Sequence, residues 1–488
     1  MNFSPIICFE THIELATRSK LFCGCLVDTD RAPNSNICPV CTGQPGTLPV
    51  LNEEALRLAI LAGKALSCAI REDVYFARKN YFYPDLPKGF QISQDHEPLC
   101  ENGYLEVEGD DGKPERVGIK RIHIEEDAGK LIHTQESADE DGYSLIDYNR
   151  ASVPLIEIVM DHERNPLRGV AQARRYLEKL RHLIQFIGVS HALIEKGQFR
   201  SDVNISLKTS EGCEFNSRVE IKNMTSFKMI GQALTFEIDR QKKALLNGEA
   251  IIQETRLYDE VTHSTLPMRK KENAPDYRYF PEPDLPPVHW PDLLKKEAFE
   301  FVPLLPDEQA EKIAQEFSVP LKDARLLTRD RENTEFFYKA AETSSNKGLL
   351  VRWLIQDLFA VQNESENKSM TCILPKDFSQ LVDLVAQKKI TPAMGKVVLA
   401  EMGKSGIDPE TIIQNKGLAV LRDSDTITAL IRQEIARKPA IEIQLKAQEA
   451  KAINYLIGQV LQKTGGMADP ALVRLSIIDL FHLNRKDR

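Results

Sequence analysis

ICFETHIEL, residues 7–15, sets the architecture of the first half of the chain. Ile7, Phe9, Ile13 and Leu15 fall on one side of a period-two repeat, and Cys8, Glu10, His12 and Glu14 fall on the other. Successive side chains of a strand point to opposite faces, so this alternation predicts a strand with one apolar and one polar face. Glu10 and His12, two residues apart, then share the polar face. Further along, DVNISLK (202–208) sets Val203, Ile205 and Leu207 opposite Asp202, Asn204 and Ser206, and RVEIK (218–222) sets Val219 and Ile221 opposite Arg218, Glu220 and Lys222. Helical spacing interrupts the strands at 52–66, with Asn52 as its N-cap, and at 170–187. An α+β domain with a mainly antiparallel sheet is expected.

Outward from there, the proline-dense YFPEPDLPPVHWPD (279–292) closes the sheet-rich part. LPDEQAEKIAQEF (305–317), LKDARLLTRDRENTEFFYKAAE (321–342) and LPKDFSQLVDLVAQKKI (374–390) read as helices. A Gly/Asp/Pro break at 403–409 opens a last helical stretch to Leu483. The expected division is 1–292 sheet-rich, 293–405 helical, and 406–488 a helical tail. At 488 residues the chain is too long for one compact domain.

With 42% hydrophobic and 28% charged residues, and no apolar run near the ~20 residues that cross a bilayer, a membrane role is not expected. The N-terminus MNFSPIICFE has neither signal-peptide nor transit-peptide character, which points to the cytoplasm. A net charge of −9 argues against non-specific coating of nucleic acid. It leaves room for a local grip on structured RNA, and the tail carries 12 Lys and Arg against 10 Asp and Glu. Nine cysteines, an odd number, do not suggest a disulfide framework in a large cytosolic chain.

Candidate chemistry lies on the polar faces. Glu125, in RIHIEEDAGK, shares a face with Arg121 and His123, and Glu220 sits on the polar face of RVEIK. Glu157, in VPLIEIVM, is the only charge in an apolar run that reads as a strand buried on both sides. A carboxylate there must be protonated, ion-paired or bound to metal, because unpaired burial costs several kcal/mol, on the order of 2–7 even for a merely polar group. Several acids and a histidine on one sheet suggest a divalent-cation site. Oxygen-rich ligation favours Mg²⁺ or Mn²⁺, and a His ligand suits Mn²⁺ or Zn²⁺ better than Mg²⁺. Taken singly, the same residues also fit a structural ion pair or a solvated strand face.

Cys23 and Cys25, then Cys38 and Cys41, form two close pairs that can place four thiolates around a structural Zn²⁺. A closed site of that kind acts as a clip on the sheet edge. ARKNYFYPDLPKGFQISQ (77–94) sets Tyr81, Phe82, Tyr83 and Phe90 among Arg78, Lys79 and Lys88, stiffened by Pro84 and Pro87. It reads as a preformed wall for a flat ligand or as a rigid packing loop. No Walker A loop, dinucleotide fingerprint, nucleophile elbow or Gly/Ser-rich amidase signature occurs. Gly403-Lys404-Ser405 imitates the end of a Walker A loop but reads as a turn.

Across nearly the whole length the chain resembles the B subunits of bacterial and organellar aspartyl/glutamyl-tRNA amidotransferases. The motifs, in order, are SKLFC, CPVCTGQPGTLPVLN, RKNYFYPDLPKGFQISQ, EEDAGK, VPLIEIV, RSDVNISL, IKNMTSF, QETR, DYRYFPEPDL and LIGQVLQKTGGMADPALV. The resemblance implies a cradle-like catalytic domain followed by a helical domain and a small tRNA-binding tail. It also implies ATP-dependent phosphorylation of the side-chain carboxylate of Glu-tRNA(Gln) or Asp-tRNA(Asn), then amidation by ammonia. An amidase partner would supply the ammonia, and a small third subunit would clasp the two together into a heterotrimer. It implies a metal site of His12, Glu125 and Glu157, with Glu10 and Glu220 near a second, transient cation. Lys79, Arg200, Asp202 and Asn204 would line the pocket, with Arg200 facing phosphate or the acceptor end. Tyr81, Phe82 and Tyr83 would wall the site of the terminal adenosine. Three departures occur: Phe9 and Thr11 stand where the family has Leu and Val, and Gln198 stands where it has Ser. An acidic insert between EEDAGK and DYNR reads as a surface hairpin. The rival readings are a scaffold that kept the fold without the chemistry, and a zinc-ribbon nucleic-acid binder, which the net charge disfavours.

Overall fold

The computed structural model describes residues 3–133, 143–209, 217–270, 276–294, 304–364, 372–418, 420–446 and 450–481. The chain forms two compact units, Met1–Leu305 and Pro306–Arg488.

The first unit is built on a nine-stranded sheet. Its strands are β1 (Phe3–Glu14), β2 (Ala69–Ile70), β3 (Cys100–Glu108), β4 (Pro114–Glu126), β5 (Pro154–Met160), β6 (Phe199–Thr209), β7 (Val219–Lys222), β8 (Glu254–Asp259) and β9 (Ser264–Lys270). Their spatial order is β9-β8-β7-β6-β1-β5-β4-β3-β2. Every pairing in it is antiparallel except β7 with β8, which is parallel. The expected α+β fold, helical in its later part, is the one observed.

Strand β1, read first in the sequence, lies at the centre. It pairs with β5 on one side and β6 on the other. On its apolar side Ile7, Phe9 and Ile13 are completely buried in the core shared with helices α1 (Glu53–Ala65), α2 (Val170–Phe186) and α3 (Phe227–Leu246). Phe9, one of the departures, stacks on Tyr176 of α2 with centroids 5.9 Å apart. Thr11, another, is fully buried, and its hydroxyl is satisfied by Ser201 Oγ at 3.0 Å. Asn52 caps α1 by accepting from Glu54 N and Ala55 N, as its residue type predicts.

The proline-dense stretch is anchored to this unit. Phe280–Pro281 pairs with Ala77–Asn80, and Val288–His289 pairs with Asp73–Val74. The acidic insert begins and ends as a hairpin stem, Lys130–His133 against Ser144–Asp147; its tip lies outside the described residues.

In the second unit all described elements are helical. One apolar cluster runs from Ala310 to Ile412, and another gathers residues from Ile427 to Ile477. Gly403-Lys404-Ser405, expected as a turn, is instead the last turn of a helix, Pro392–Ser405. Val398, Leu399 and Met402 keep the helical face buried up to that point, and Gly406 stops it with φ +65°. No helix among the described residues is long and apolar enough to cross a membrane.

Candidate functional site

Register across the four central strands assembles the polar face. Glu157 of β5 lies opposite His12 on one side and His123 of β4 on the other, and His12 lies opposite Arg200 of β6. Paired residues of antiparallel strands share a face, so His123, Glu157, His12 and Arg200 form one row across the sheet. The next row along the same strands carries Arg121, Val159, Glu10 and Asp202.

Side chains close this row into a compact centre. His12 Nε2 is 3.1 Å from Glu125 Oε1, and His123 Nε2 is 2.9 Å from Glu157 Oε2 and 3.6 Å from Glu125 Oε2. The donor atoms of His12, Glu125 and Glu157 lie within 4.8 Å of one another. Burial alone would push the Glu125 carboxyl up, but His12 and His123 hold it well below the ordinary range. Glu157, likewise buried, is brought down to about 2, chiefly by His123. His123 is raised to about 9: Glu157 and Glu125 outweigh the burial that disfavours its charge. Its Nδ1 is buried with no hydrogen-bond partner among the described residues. Glu157 is therefore ion-paired, one of the three states its apolar setting allowed. One imidazole and two carboxylates at this spacing are a donor set that suits a divalent cation.

Glu10 and Glu220 lie outside that three-donor cluster. Glu10 accepts from Asn204 Nδ2 at 2.9 Å, and its carboxyl is pushed up by burial and then by Glu157 and Glu220. Lys222 donates to Asp202 and, at 3.0 Å, to Glu220, which also accepts from Thr255. Arg200 donates to Asp127 at 3.0 Å, and Arg150 lies 3.5 Å from the same carboxylate. Gln198 donates to Glu14 at 3.2 Å, beside the row.

The aromatic block divides. Lys79 Nζ lies 4.9 Å from the Tyr277 ring centre and 5.9 Å from that of Tyr81. The Tyr81 phenol is pushed up by burial and then by Glu125, so this ring belongs to the carboxylate side. Phe82 and Tyr83 are 91% and 60% exposed and line an open concavity of about 470 Å³ with Pro84, Leu86, Pro87 and Lys88. Lys88 is paired to Glu126, and Arg78 to Glu282.

Sequence reasoning placed His123 and Lys222 on the polar face without assigning them to the site, and it missed Asp127, Arg150 and Tyr277. His123 and Lys222 were marked by the same alternation that marked Glu125 and Glu220. Asp127, Arg150 and Tyr277 lie outside strands and carried no such signal.

Cys23, Cys25, Cys38 and Cys41 converge, with all four sulfurs within 4.8 Å of one another. A zinc tetrathiolate, with Zn–S near 2.3 Å, needs sulfurs roughly 3.8 Å apart, so the set fits that ion. A hydrogen bond from Cys23 draws the Cys41 thiol down to about 5, with Lys20 adding to the effect. The expected clip on the sheet edge is not what the cluster makes, since the edges are β2 and β9. It is fastened to the turn before the central strand β5, where Asn36 N donates to Asn149 Oδ1 at 2.9 Å.

A mixed sheet carrying an imidazole–carboxylate centre and a four-cysteine knuckle, followed by helices, coincides with two family models. Residues 5–295 match the GatB/GatE catalytic domain, and residues 335–479 match the GatB domain. The chain is 43% identical over 482 residues to the aspartyl/glutamyl-tRNA(Asn/Gln) amidotransferase B subunit of Persephonella marina, covering 98% of this chain and 100% of the relative. It is 43% identical over 479 residues to that of Carboxydothermus hydrogenoformans, and 41% identical over 474 to that of Thermotoga maritima, covering 98% of each relative and 98% and 97% of this chain. The chain belongs to the GatB family, the B subunits of the tRNA-dependent amidotransferases. It is thus part of a glutamine-hydrolysing ligase complex.

Proposed function

We propose that this chain activates and amidates the side-chain carboxylate of glutamate on tRNA(Gln), of aspartate on tRNA(Asn), or of both. A carboxylate repels nucleophiles, so its oxygen first attacks the γ-phosphorus of ATP, and ADP leaves. Ammonia then attacks the acyl carbon of the resulting acyl phosphate, and phosphate leaves. The observation that carries this reading is the centre formed by half-buried His12 with buried Glu125 and Glu157 at the middle of the sheet, with ligand atoms within 4.8 Å of one another. A scaffold without chemistry has no use for two buried acids whose desolvation must be offset.

His12, Glu125 and Glu157 would hold Mg²⁺ or Mn²⁺, with Glu10 and Glu220 near a second, transient cation. When bound, such an ion neutralises charge on the transferring phosphoryl group. Arg200, kept at the site by Asp127, offers a planar fork to phosphate or the acceptor end. Lys79 presents charge, Asp202 and Asn204 hold the neighbouring row, and Tyr81 offers a ring face to the terminal base. Phe82 and Tyr83 stand at the outer rim, where they would meet a more distal part of the acceptor stem. The four cysteines hold structural Zn²⁺ and take no part in the chemistry. The residues after about 406 anchor the tRNA. A partner amidase delivers ammonia, a small third protein joins the two into a heterotrimer, and the assembly works in the cytoplasm.

The test uses the reconstituted three-subunit complex with each misacylated tRNA in turn and ATP labelled in the γ-phosphate. With glutamine and ammonia withheld, label is expected on the aminoacyl-tRNA. Glu125→Gln is expected to slow that step by more than about 100-fold while tRNA still binds. Unchanged turnover in that variant removes the proposal.

A further inference from the structure

Lys20 is fully buried, and no carboxylate among the described residues comes within ion-pair distance of it. Its ammonium donates to Asn36 O at 3.1 Å, to Tyr148 O at 3.4 Å and to Cys41 Sγ at 3.6 Å. A lone ammonium taken out of water costs several kcal/mol unless an anion faces it. The anion available here is the cysteine cluster. Four thiolates around one divalent ion leave a net charge of −2, and Lys20 halves it.

The same ammonium touches the turn that leads into β5, and the contact is part of a continuous seam. Asn34 N donates to Asp147 Oδ1 at 3.0 Å, Asn149 Nδ2 donates to Ala32 O at 2.9 Å, and Leu21 N donates to Ser152 O at 2.8 Å. From that turn Arg150 donates to Ala128 O at 3.1 Å and Gly129 O at 2.7 Å, and Ser152 N donates to Asp127 O at 2.9 Å. Asp127 in turn holds Arg200. The knuckle and the polar row are therefore joined through one turn with its hydrogen bonds satisfied at each step.

We propose that Lys20 is a positioning residue that couples the cysteine cluster to the Asp127–Arg200 pair. It balances the charge of the filled cluster and, through Tyr148, fixes the turn that carries Arg150. Loss of the metal frees the ammonium's partners and loosens the turn, so occupancy of a site remote from the reacting atoms governs how firmly Arg200 is held. The proposal rests on the zinc reading of the cysteines, and the experiment separates failure of that reading from failure of the coupling.

The full chain in its three-subunit complex is analysed first for zinc. A wild-type complex without zinc overturns the reading of the cluster itself, and the coupling with it. With zinc present, release to a chromophoric chelator is followed in the wild type and in Lys20→Met, which keeps an unbranched chain one atom shorter and removes the charge. Release about tenfold faster in Lys20→Met is expected, the scale of a lost contact to a metal ligand. Hydrogen exchange is then measured on peptides covering 125–130 and 147–153. Zinc removal is expected to raise exchange in both, with peptides from α2 unchanged. Asn149→Ala keeps the charge at the cluster and breaks the seam, so it is expected to raise exchange in the same peptides without speeding zinc release. Should Lys20→Met fail to fold, wild-type exchange before and after zinc removal carries the test. Equal release rates in wild type and Lys20→Met, or unchanged exchange at 125–130 and 147–153 after zinc removal, overturn the coupling.

Discussion

Glu157 is 9% exposed in the middle of a buried strand and keeps its charge because His123 faces it. The pair makes stability depend on pH in a defined way. His123 rises from 6.5 to about 9 on folding, so its contribution is complete below pH 6.5 and fades as pH climbs through 9. Glu157 falls from 4.5 to about 2, so its contribution is complete above pH 4.5 and fades as pH drops through 2. For the metal-free protein, the denaturant midpoint of the sheet unit is expected to decline between pH 6.5 and 9, and His123→Gln should flatten that decline. A wild-type midpoint that climbs over this interval would contradict the assignment. Glu157 was conspicuous in the sequence because an acid interrupted an apolar run. Its partner was not, since an alternating strand shows which residues share a face and leaves open which of them meet across strands.

At the scale of the element, Asn52 shows one side chain serving two structures. Its Oδ1 caps α1, and its Nδ2 donates to Ser19 O at 3.0 Å and Lys20 O at 3.3 Å, next to the cysteine knuckle. Asn52→Ala is expected to cost about 1–2 kcal/mol in denaturant unfolding of the sheet unit. Asn52→Asp, which keeps the cap and loses the donor, should cost about half as much; equal costs would argue that the second set of bonds is idle. In the helical unit, Gly466 has φ +80°, and a Cβ there would lie 2.8 Å from Ala393 Cβ. Thr391 Oγ1 also donates to Gly466 O at 2.6 Å. Gly466→Ala should therefore lower stability by about 1 kcal/mol or more, read as a shift in the helical unit's melting. The cap was readable from residue type and position. The close approach at Gly466 was not, because it sets a turn residue against Ala393 of a helix more than seventy positions earlier in the chain.

The whole molecule is two units, and the helical one holds two apolar clusters, the first of which takes in Ile412 with Ile413 and Leu418 packed against it. A truncation after Val420 thus leaves the first cluster whole and removes the second. Such a variant is expected to bind tRNA at least about tenfold more weakly while still using free ammonia on bound substrate at near wild-type rate. A filter-binding assay beside an amidation assay at saturating tRNA checks this, and equal losses in both would refute an anchoring role. Strand alternation, helix starts and an ordered set of motifs are local properties, so the chain alone determined its α+β class, its helical later part, its family and the acids of the polar face. The meeting of His123 with Glu157, of Lys20 with Cys41 and of Arg200 with Asp127 was decided only by tertiary structure. Strand register and loop packing join residues far apart in the chain, and the free energy that selects those pairings comes from desolvation and charge balance that no short stretch contains.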